Sequence, residues 1–519
     1  MRSKSLIDYK IFIPSLLILI GIGIPLALYE SESLELLNYI FDSIVSVFGW
    51  GYLWYGLLLV AAAIYFSFSK YGQIVLGDPN EKPHFTMFEY ASILIAMGVG
   101  STIMRTGMLQ WTSVANEPPV GVEPGSAEAL LWGNAYSMFL WGFQVFAIFV
   151  MIAPAMGYVL HVKKRPLMRI SEACRVIFGD KFTDGWGGKS LDILFLLSIL
   201  TGAAVTLGLG APIITHNLSA LLNIEVTFGM TIIVTIIWVF LFSLSAYLGI
   251  DKGIKRLSTL NMYLAGLFAL FVLIAGPGVF ILNYFSDSVS FLLTNYLHFS
   301  LNTDSVHLGE ASYIQSNTVF WFAYSATWAM LHSVFAAKIS KGRTIKEMIL
   351  TYLLAPTLLS WAATGVLGGL GVHRYLTGDL SILSFVQEEE RMAAIPEILS
   401  TLPFGDFSII VFIVVALIFL TTTLDSTTYT VAAYTSTRDM SKFEPTKLLR
   451  IIIAGVITVF SLILMRIGGL PPLSVISGLM GLPIIVVQFI LIYAAKKMMD
   501  QDEAWKYNIK RNDQKKAAS

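Results

Sequence analysis

Phe320-Trp-Phe-Ala-Tyr-Ser-Ala-Thr-Trp-Ala-Met-Leu-His-Ser-Val-Phe-Ala-Ala-Lys-Ile-Ser-Lys-Gly-Arg-Thr-Ile-Lys-Glu347 joins an aromatic-rich apolar helix, with a histidine inside it, to a basic loop punctuated by glycine. An apolar run of this length crosses a bilayer, and Lys and Arg at its end hold that end on the cytoplasmic side. The aromatic half of the stretch is where cargo is expected to sit.

The rest of the chain has the same character. It is 519 residues long, 56% hydrophobic and only 13% charged, a composition of polytopic membrane proteins. Apolar runs near 20 residues recur about twelve times, from Ile11–Tyr29 to Leu473–Ala495, and leave no separate soluble domain of useful size. Net charge is zero. Lys and Arg nevertheless crowd the N-terminal tail, the segments 70–82, 163–189, 252–256, 338–346 and 438–450, and the tail from Lys496. The alternate loops, 30–42, 117–128, the link near Glu225 and 286–312, carry acids and no bases. This alternation predicts a multi-pass cell-membrane protein with both termini cytoplasmic and an even number of spans. Arg374, Arg391 and Arg466 fall in loops assigned outside, and Arg105 falls within a span.

Several classes are excluded or disfavoured. The single Cys174 rules out an intramolecular disulfide and a cysteine-only metal site. Ile11–Tyr29 is too long for a signal peptide and is read as a retained span. The basic loops read as anchors beside anionic membrane lipid, not as a nucleic-acid surface. An intramembrane enzyme would need a clustered acid–base pair, nucleophile or metal ligands, and the chain has no HExxH and no G-x-S-x-G elbow. A channel would need charged or carbonyl filter rings, which are not visible.

Ionisable residues at membrane depth mark function by default. Here they are Arg105, His332 and Asp425. Gly98 and Gly100, ahead of Thr102 and Arg105, are candidates for a helix break lining a cavity, although small residues serve tight helix packing equally well. Trp141 to Phe149 forms an aromatic stripe at helical spacing, which alone reads as core packing. The plain reading of Asp425 is a structural carboxylate bonded to nearby backbone and Thr hydroxyls. Thr422 and Thr423, with carbonyls exposed by a break at Ala96 and Val99, would make an oxygen cage for a hard cation. His332 lies one turn beyond Trp328 on the same face and reads as a substrate contact, a pH-titrating group or a satisfied packing histidine.

Three motifs in order carry a resemblance. Ala337-Lys-Ile-Ser-Lys-Gly-Arg-Thr-Ile-Lys-Glu347, Leu76-Gly-Asp-Pro-Asn-Glu-Lys-Pro-His-Phe85 and Thr421-Thr-Thr-Leu-Asp-Ser-Thr-Thr-Tyr429 resemble segments of the betaine/carnitine/choline transporter (BCCT) family over nearly the whole chain. The resemblance implies an all-α polytopic membrane protein of about twelve transmembrane helices with a leucine-transporter-like fold of two inverted five-helix repeats. The expected organisation is 1–86 for the tail, two scaffold helices and a loop, 87–285 for the first repeat, 286–315 for an outside loop with short amphipathic stretches, 316–497 for the second repeat and 498–519 for a cytoplasmic tail. It also implies a homotrimer, no enzymatic activity and no cofactor beyond sodium. The family's sodium site matches Ala96, Val99, Phe419, Thr422 and Thr423, and a second site is matched only through Thr206.

In such a family a quaternary ammonium is held by aromatic rings. Tyr324 and Trp328 occupy cage positions, Ser325 stands where a third tryptophan would be, and Trp141 and Phe149 match contributing aromatics. Arg105 stands where an aromatic is common, and Gln110 replaces a family glutamate in Gly107-Met-Leu-Gln110. A weakened cage beside a guanidinium points to a solute with an obligatory anionic group, betaine-like, amino-acid-like or sulfonate, because Arg binds such groups bidentately. Two other roles for Arg105 stand beside this one: pairing with Asp425, or replacing a coupling cation. The alternative to such a transporter, moving its solute by alternating access, is a sodium-independent exchanger of quaternary ammonium compounds. The tails are short, which suggests simple uptake or exchange without direct osmotic gating.

Overall fold

The computed structural model describes residues 7–97, 100–119, 121–303, 313–378, 382–384, 388–466 and 470–502. Regular structure among them is helical, apart from two isolated β-bridges, Ile7 with Ser436 and Val75 with Thr344. Among the described residues, ten helices are long and apolar enough to cross a membrane. The third span, divided into Met87–Ala96 and Gly100–Asn116, and the eighth, Tyr313–Ile339, add the remaining two. The third is split and the eighth is diluted by Gln315, Asn317 and His332, so neither scores as a simple apolar run.

Three boundaries differ from the sequence expectation. The second span begins at Glu30, so the acid-rich stretch 30–42 is helical within a 39-residue helix. At 1.5 Å per residue that helix is about 58 Å long, well beyond the hydrocarbon thickness. The seventh span ends at Ala275 rather than near Tyr284, because Gly276 is extended and Pro277 has no N–H to continue the ladder. The helix restarts as the 24-residue Gly278–Leu301 and so runs well into the outside loop expected over 286–315. It buries Ile281, Tyr284, Ser288, Leu292 and Phe299 and exposes Val279, Leu282, Leu293 and Leu297. Its interspersed Ser, Asp and Asn hid that period.

The fourth span is also not one helix. It runs Ala127–Leu140, breaks at Trp141 and the extended Gly142, resumes as Phe143–Val150, and turns again at Met151 and Ile152. A break strands backbone groups that then need partners. The Leu140 carbonyl accepts the Trp321 indole N–H at 2.7 Å. The Ser333 hydroxyl donates to the Phe149 carbonyl at 2.6 Å and accepts from the Ile152 N–H at 3.2 Å. The aromatic stripe expected from Trp141 to Phe149 is therefore re-aimed at its first residue.

The tenth span, Gly405–Thr435, lies at the centre, with every residue from Phe419 to Thr435 buried. On the face bearing the basic loops, backbone bonds tie the segments 74–76 and 342–345 together. The Leu76 N–H donates to the Arg343 carbonyl at 2.8 Å, Gly342 N–H to the Leu76 carbonyl at 2.7 Å, and Ile345 N–H to the Ile74 carbonyl at 3.0 Å. Gly342 has φ +81°, and a Cβ there would lie 2.5 Å from the Lys82 carbonyl oxygen, so only glycine fits. Arg343 sits over the Tyr90 ring and donates to the Phe85 carbonyl at 2.6 Å. Thr86 with Glu89 and Thr344 with Glu347 form capping boxes that start the third and ninth spans.

Candidate functional site

A cavity of about 570 Å³ opens among the third, fourth, fifth, eighth and tenth spans. It reaches Leu34, Arg391, Pro471 and Ser474 at the face bearing the acid-rich loops, and Phe149, His332 and Leu420 at its inner end. One wall is a helical face of Gly100–Asn116: Thr102, Arg105, Thr106, Leu109, Gln110 and Ser113, spaced by three and four residues. The eighth span supplies Asn317, Phe320, Trp321, Tyr324, Ser325, Trp328 and His332 at the same spacing.

Nine expected site residues meet here: Thr102, Arg105, Trp141, Phe149, Thr206, Tyr324, Ser325, Trp328 and His332 all line the cavity. Gly98 and Val99 lie outside the described residues. Gly100 is placed against the Phe419 ring, where a Cβ would come within 1.9 Å of Cδ1, and does not line the cavity. Its smallness serves packing between the third and tenth spans.

The aromatic wall is fuller than the sequence suggested. Trp141 meets Trp321 edge-on at 4.8 Å, Trp321 stacks with Tyr324 at 6.0 Å, and Tyr324 lies 6.5 Å from Trp328. Trp321, three residues before Tyr324, brings a ring from the preceding turn to a cage in which Ser325 replaces one. Its i, i+3 relation to Tyr324 is a signal that sequence reading passed over. Two buried polar atoms of the wall, the Trp141 indole nitrogen and the Ser325 hydroxyl, have no hydrogen-bond partner among the described residues. Such groups are costly unless something satisfies them.

His332 stacks on Phe149 at 4.1 Å and hydrogen-bonds the Tyr352 hydroxyl, so it forms the inner end of the cavity while already held by protein. Asp425 does not line the cavity. Its carboxylate is bonded by Arg450 and by the Ser245 hydroxyl, the latter at 2.5 Å. Arg450, not Arg105, is therefore the cation beside Asp425. Arg450 ends a basic segment in the sequence, yet it is 2% exposed in the helix Lys447–Arg466.

Four of the five residues expected at the oxygen cage, Ala96, Phe419, Thr422 and Thr423, come together. Beyond the last turn of Met87–Ala96, the Ala96 carbonyl accepts the Thr422 and Thr423 hydroxyls at 3.3 and 3.1 Å. The same hydroxyls lie 2.9 and 3.0 Å from the Phe419 carbonyl. Two carbonyls and two hydroxyls thus converge without a formal charge, a donor set that suits a hard cation of low charge. Among the described residues no group of three or more His, Cys, Asp or Glu is placed to hold a metal.

Comparison with known proteins follows the geometry. The family described as BCCT, betaine/carnitine/choline family transporter, matches residues 10–504. A protein of Acinetobacter baumannii named carnitine transporter is 30% identical over 505 residues, 97% of this chain and 91% of that protein. A solved structure of a Na+-coupled sialic acid symporter, titled as its substrate-bound outward-open state, matches over 86% of each chain at 12% identity with a TM-score of 0.45. With nearly its whole length matched, the chain belongs to the betaine/carnitine/choline transporter family and is a multi-pass membrane transporter rather than an enzyme.

Proposed function

We propose that this transporter moves a small zwitterionic or anionic organic solute across the cell membrane by alternating access, coupled to sodium. The observation that carries the reading is Arg105 on the wall of an aromatic cavity whose described lining residues include two arginines and no carboxylate. A guanidinium accepts a carboxylate or sulfonate in a two-pronged bond. The rings of Trp141, Trp321, Tyr324 and Trp328 suit the ammonium end of the same molecule. The Trp141 N–H and the Ser325 hydroxyl are further donors for its anionic oxygens. A carnitine-like zwitterion satisfies both ends at once, in keeping with the name of the Acinetobacter relative. A bare cation such as choline would meet Arg105 with no anion to offset the repulsion.

The cage of Ala96, Phe419, Thr422 and Thr423 is where sodium would be held. When bound there, the ion would supply one positive charge joining the third and tenth spans. Thr206, on the cavity wall, belongs to the second site implied by the family. Cytoplasmic termini, the two five-helix repeats and a homotrimer complete the proposal; the alternation of basic and acidic loops and family membership support them.

Thermal stabilisation of the purified protein by betaine, carnitine, choline, taurine and small amino acids, with and without sodium, tests this reading. Stabilisation by zwitterions or sulfonates but not choline is expected. The sodium-dependent part should vanish in Thr423→Ala. Stabilisation that ignores sodium in the native protein would discard coupling, and choline acting as well as any zwitterion would discard the anionic requirement.

A further inference from the structure

At the inner end of the cavity a histidine stands among rings. His332 lines the cavity there, stacked on Phe149 at 4.1 Å and edge-on to Trp328 at 6.0 Å. Its Nδ1 is hydrogen-bonded to the hydroxyl of Tyr352, a fully buried residue of the ninth span. Among the described residues that nitrogen is the hydroxyl's one hydrogen-bond partner. A proton on Nδ1, as in the other neutral tautomer or in the imidazolium, would be donated to the phenol oxygen. The phenol O–H would then be buried with nothing to bond, a costly arrangement. Tyr352 therefore donates, Nδ1 accepts, and the neutral ring carries its proton on Nε2. Among the described residues Nε2 has no hydrogen-bond partner, so this N–H is what the ring offers to the cavity.

We infer that the Nε2–H of His332 is a specificity-determining donor for an uncharged oxygen of the solute, a hydroxyl close to its ammonium group, and that Tyr352 is the positioning residue that fixes the tautomer. The inference rests on the proposed zwitterionic substrate and narrows it to a hydroxylated one. Phe149, Trp328 and Leu420, which line the cavity with His332, bring no charge to this end, so an anion would enter it without a countercharge. A neutral oxygen loses far less solvation there, and a single N–H satisfies it. Trp328 is also one of the rings suited to the ammonium, which sets hydroxyl and ammonium side by side. A site built to bond a hydroxyl discriminates against the analogue lacking it, because its own buried N–H is then left unpaired.

Calorimetric titration of the purified full-length protein, in sodium, with L-carnitine and with γ-butyrobetaine reads this directly, since the two share a trimethylammonium and a carboxylate and differ by one hydroxyl. The native protein should bind L-carnitine about tenfold more tightly. His332→Phe combined with Tyr352→Phe keeps a ring against Phe149 and removes both partners of the buried bond together. In that variant the preference should fall to within about twofold, through weaker L-carnitine binding and unchanged γ-butyrobetaine binding. Tyr352→Phe alone frees the ring to carry its proton on either nitrogen and should lower the preference by a smaller step, whereas a merely structural tyrosine would move both compounds together. Equal affinities in the native protein would overturn the inference, and so would the native preference surviving in the double variant. Equal loss of both compounds in the double variant would overturn it too, because His332 would then act on the shape of the cavity. Should the double variant fail to fold, His332→Leu takes its place with the same reading. A native protein that binds neither compound overturns the inference, and taurine in the same titration shows how far the failure reaches: taurine bound leaves the proposed substrate class standing, and taurine unbound brings it down as well.

Discussion

The two ends of the helix bundle are built on opposite plans. Toward the acid-rich loops, polar side chains of the third and eighth spans face a cavity, and two buried donors lack partners among the described residues. Toward the basic loops, backbone amides, arginine and ion pairs bridge one segment to the next. Leu76 accepts from the Gly342 N–H and donates to the Arg343 carbonyl, Tyr90 and Ser340 share a hydroxyl bond of 2.6 Å, Lys338 donates to the Met440 carbonyl at 2.6 Å, and Lys341 pairs with Glu81 at 2.6 Å. The difference teaches that polar side chains at one end are turned to a cavity wall, while at the other they are spent largely on bonds between segments.

The largest effect is expected where closure depends on buried charge. Asp425→Ala leaves Arg450 buried without its carboxylate, which should cost about 3–5 kcal/mol and lower the melting temperature in detergent. Asp425→Leu combined with Arg450→Met should recover most of that loss. If the single variant melts like the native protein, the pair does not hold the tenth and eleventh spans together.

Next comes the backbone seam. Gly342→Ala forces a Cβ against the Lys82 carbonyl at a left-handed φ, for a cost of about 1–3 kcal/mol. The comparison then predicts faster hydrogen exchange at Leu76 and Ile345 with no change around Trp141. Exchange that stays slow at both residues would show that the seam does not depend on this glycine.

The smallest effect belongs to the surface ion pairs of the closed face. Hydrogen bonding from Lys341 holds the Glu81 carboxyl below its ordinary value, and Lys164 does the same for Asp78. Carboxylates with lowered values stabilise the folded arrangement above the usual carboxylate range and lose that contribution as pH falls through the lowered values. Accessibility of a cysteine placed at Lys82 should therefore be flat across neutral pH and rise only in acid. Lys341→Gln should shift closure by only about 0.5 kcal/mol. A rise in accessibility near neutral pH would point to some other titrating group.

Much of this was legible in the sequence, for definable reasons. Apolar length and the alternation of basic and acidic loops mark the spans because the bilayer imposes both. The closeness of Thr422 and Thr423 to the Ala96 carbonyl was legible because hydroxyls and a helix break are local features. What escaped depends on pairing at a distance. The motifs 76–85 and 337–347 were read separately, yet Gly342 packs on Lys82 and Leu76. The burial of Arg450 has no local sign, because basic residues also flank spans as lipid anchors. Trp141 follows a helix break that its helical spacing concealed. Helix Gly278–Leu301 was hidden by the polar residues that make it amphipathic.

The comparison turns on whether the open end is built for an anion. Calorimetric titration of L-carnitine, taurine and choline, in sodium, against the native protein and Arg105→Gln tests that most directly. The native protein should bind a zwitterion or sulfonate and not choline, and Arg105→Gln should lose that binding by more than about a hundredfold. Full affinity in Arg105→Gln, or choline bound as tightly as carnitine, would contradict the account and leave the aromatic rings alone to hold the solute.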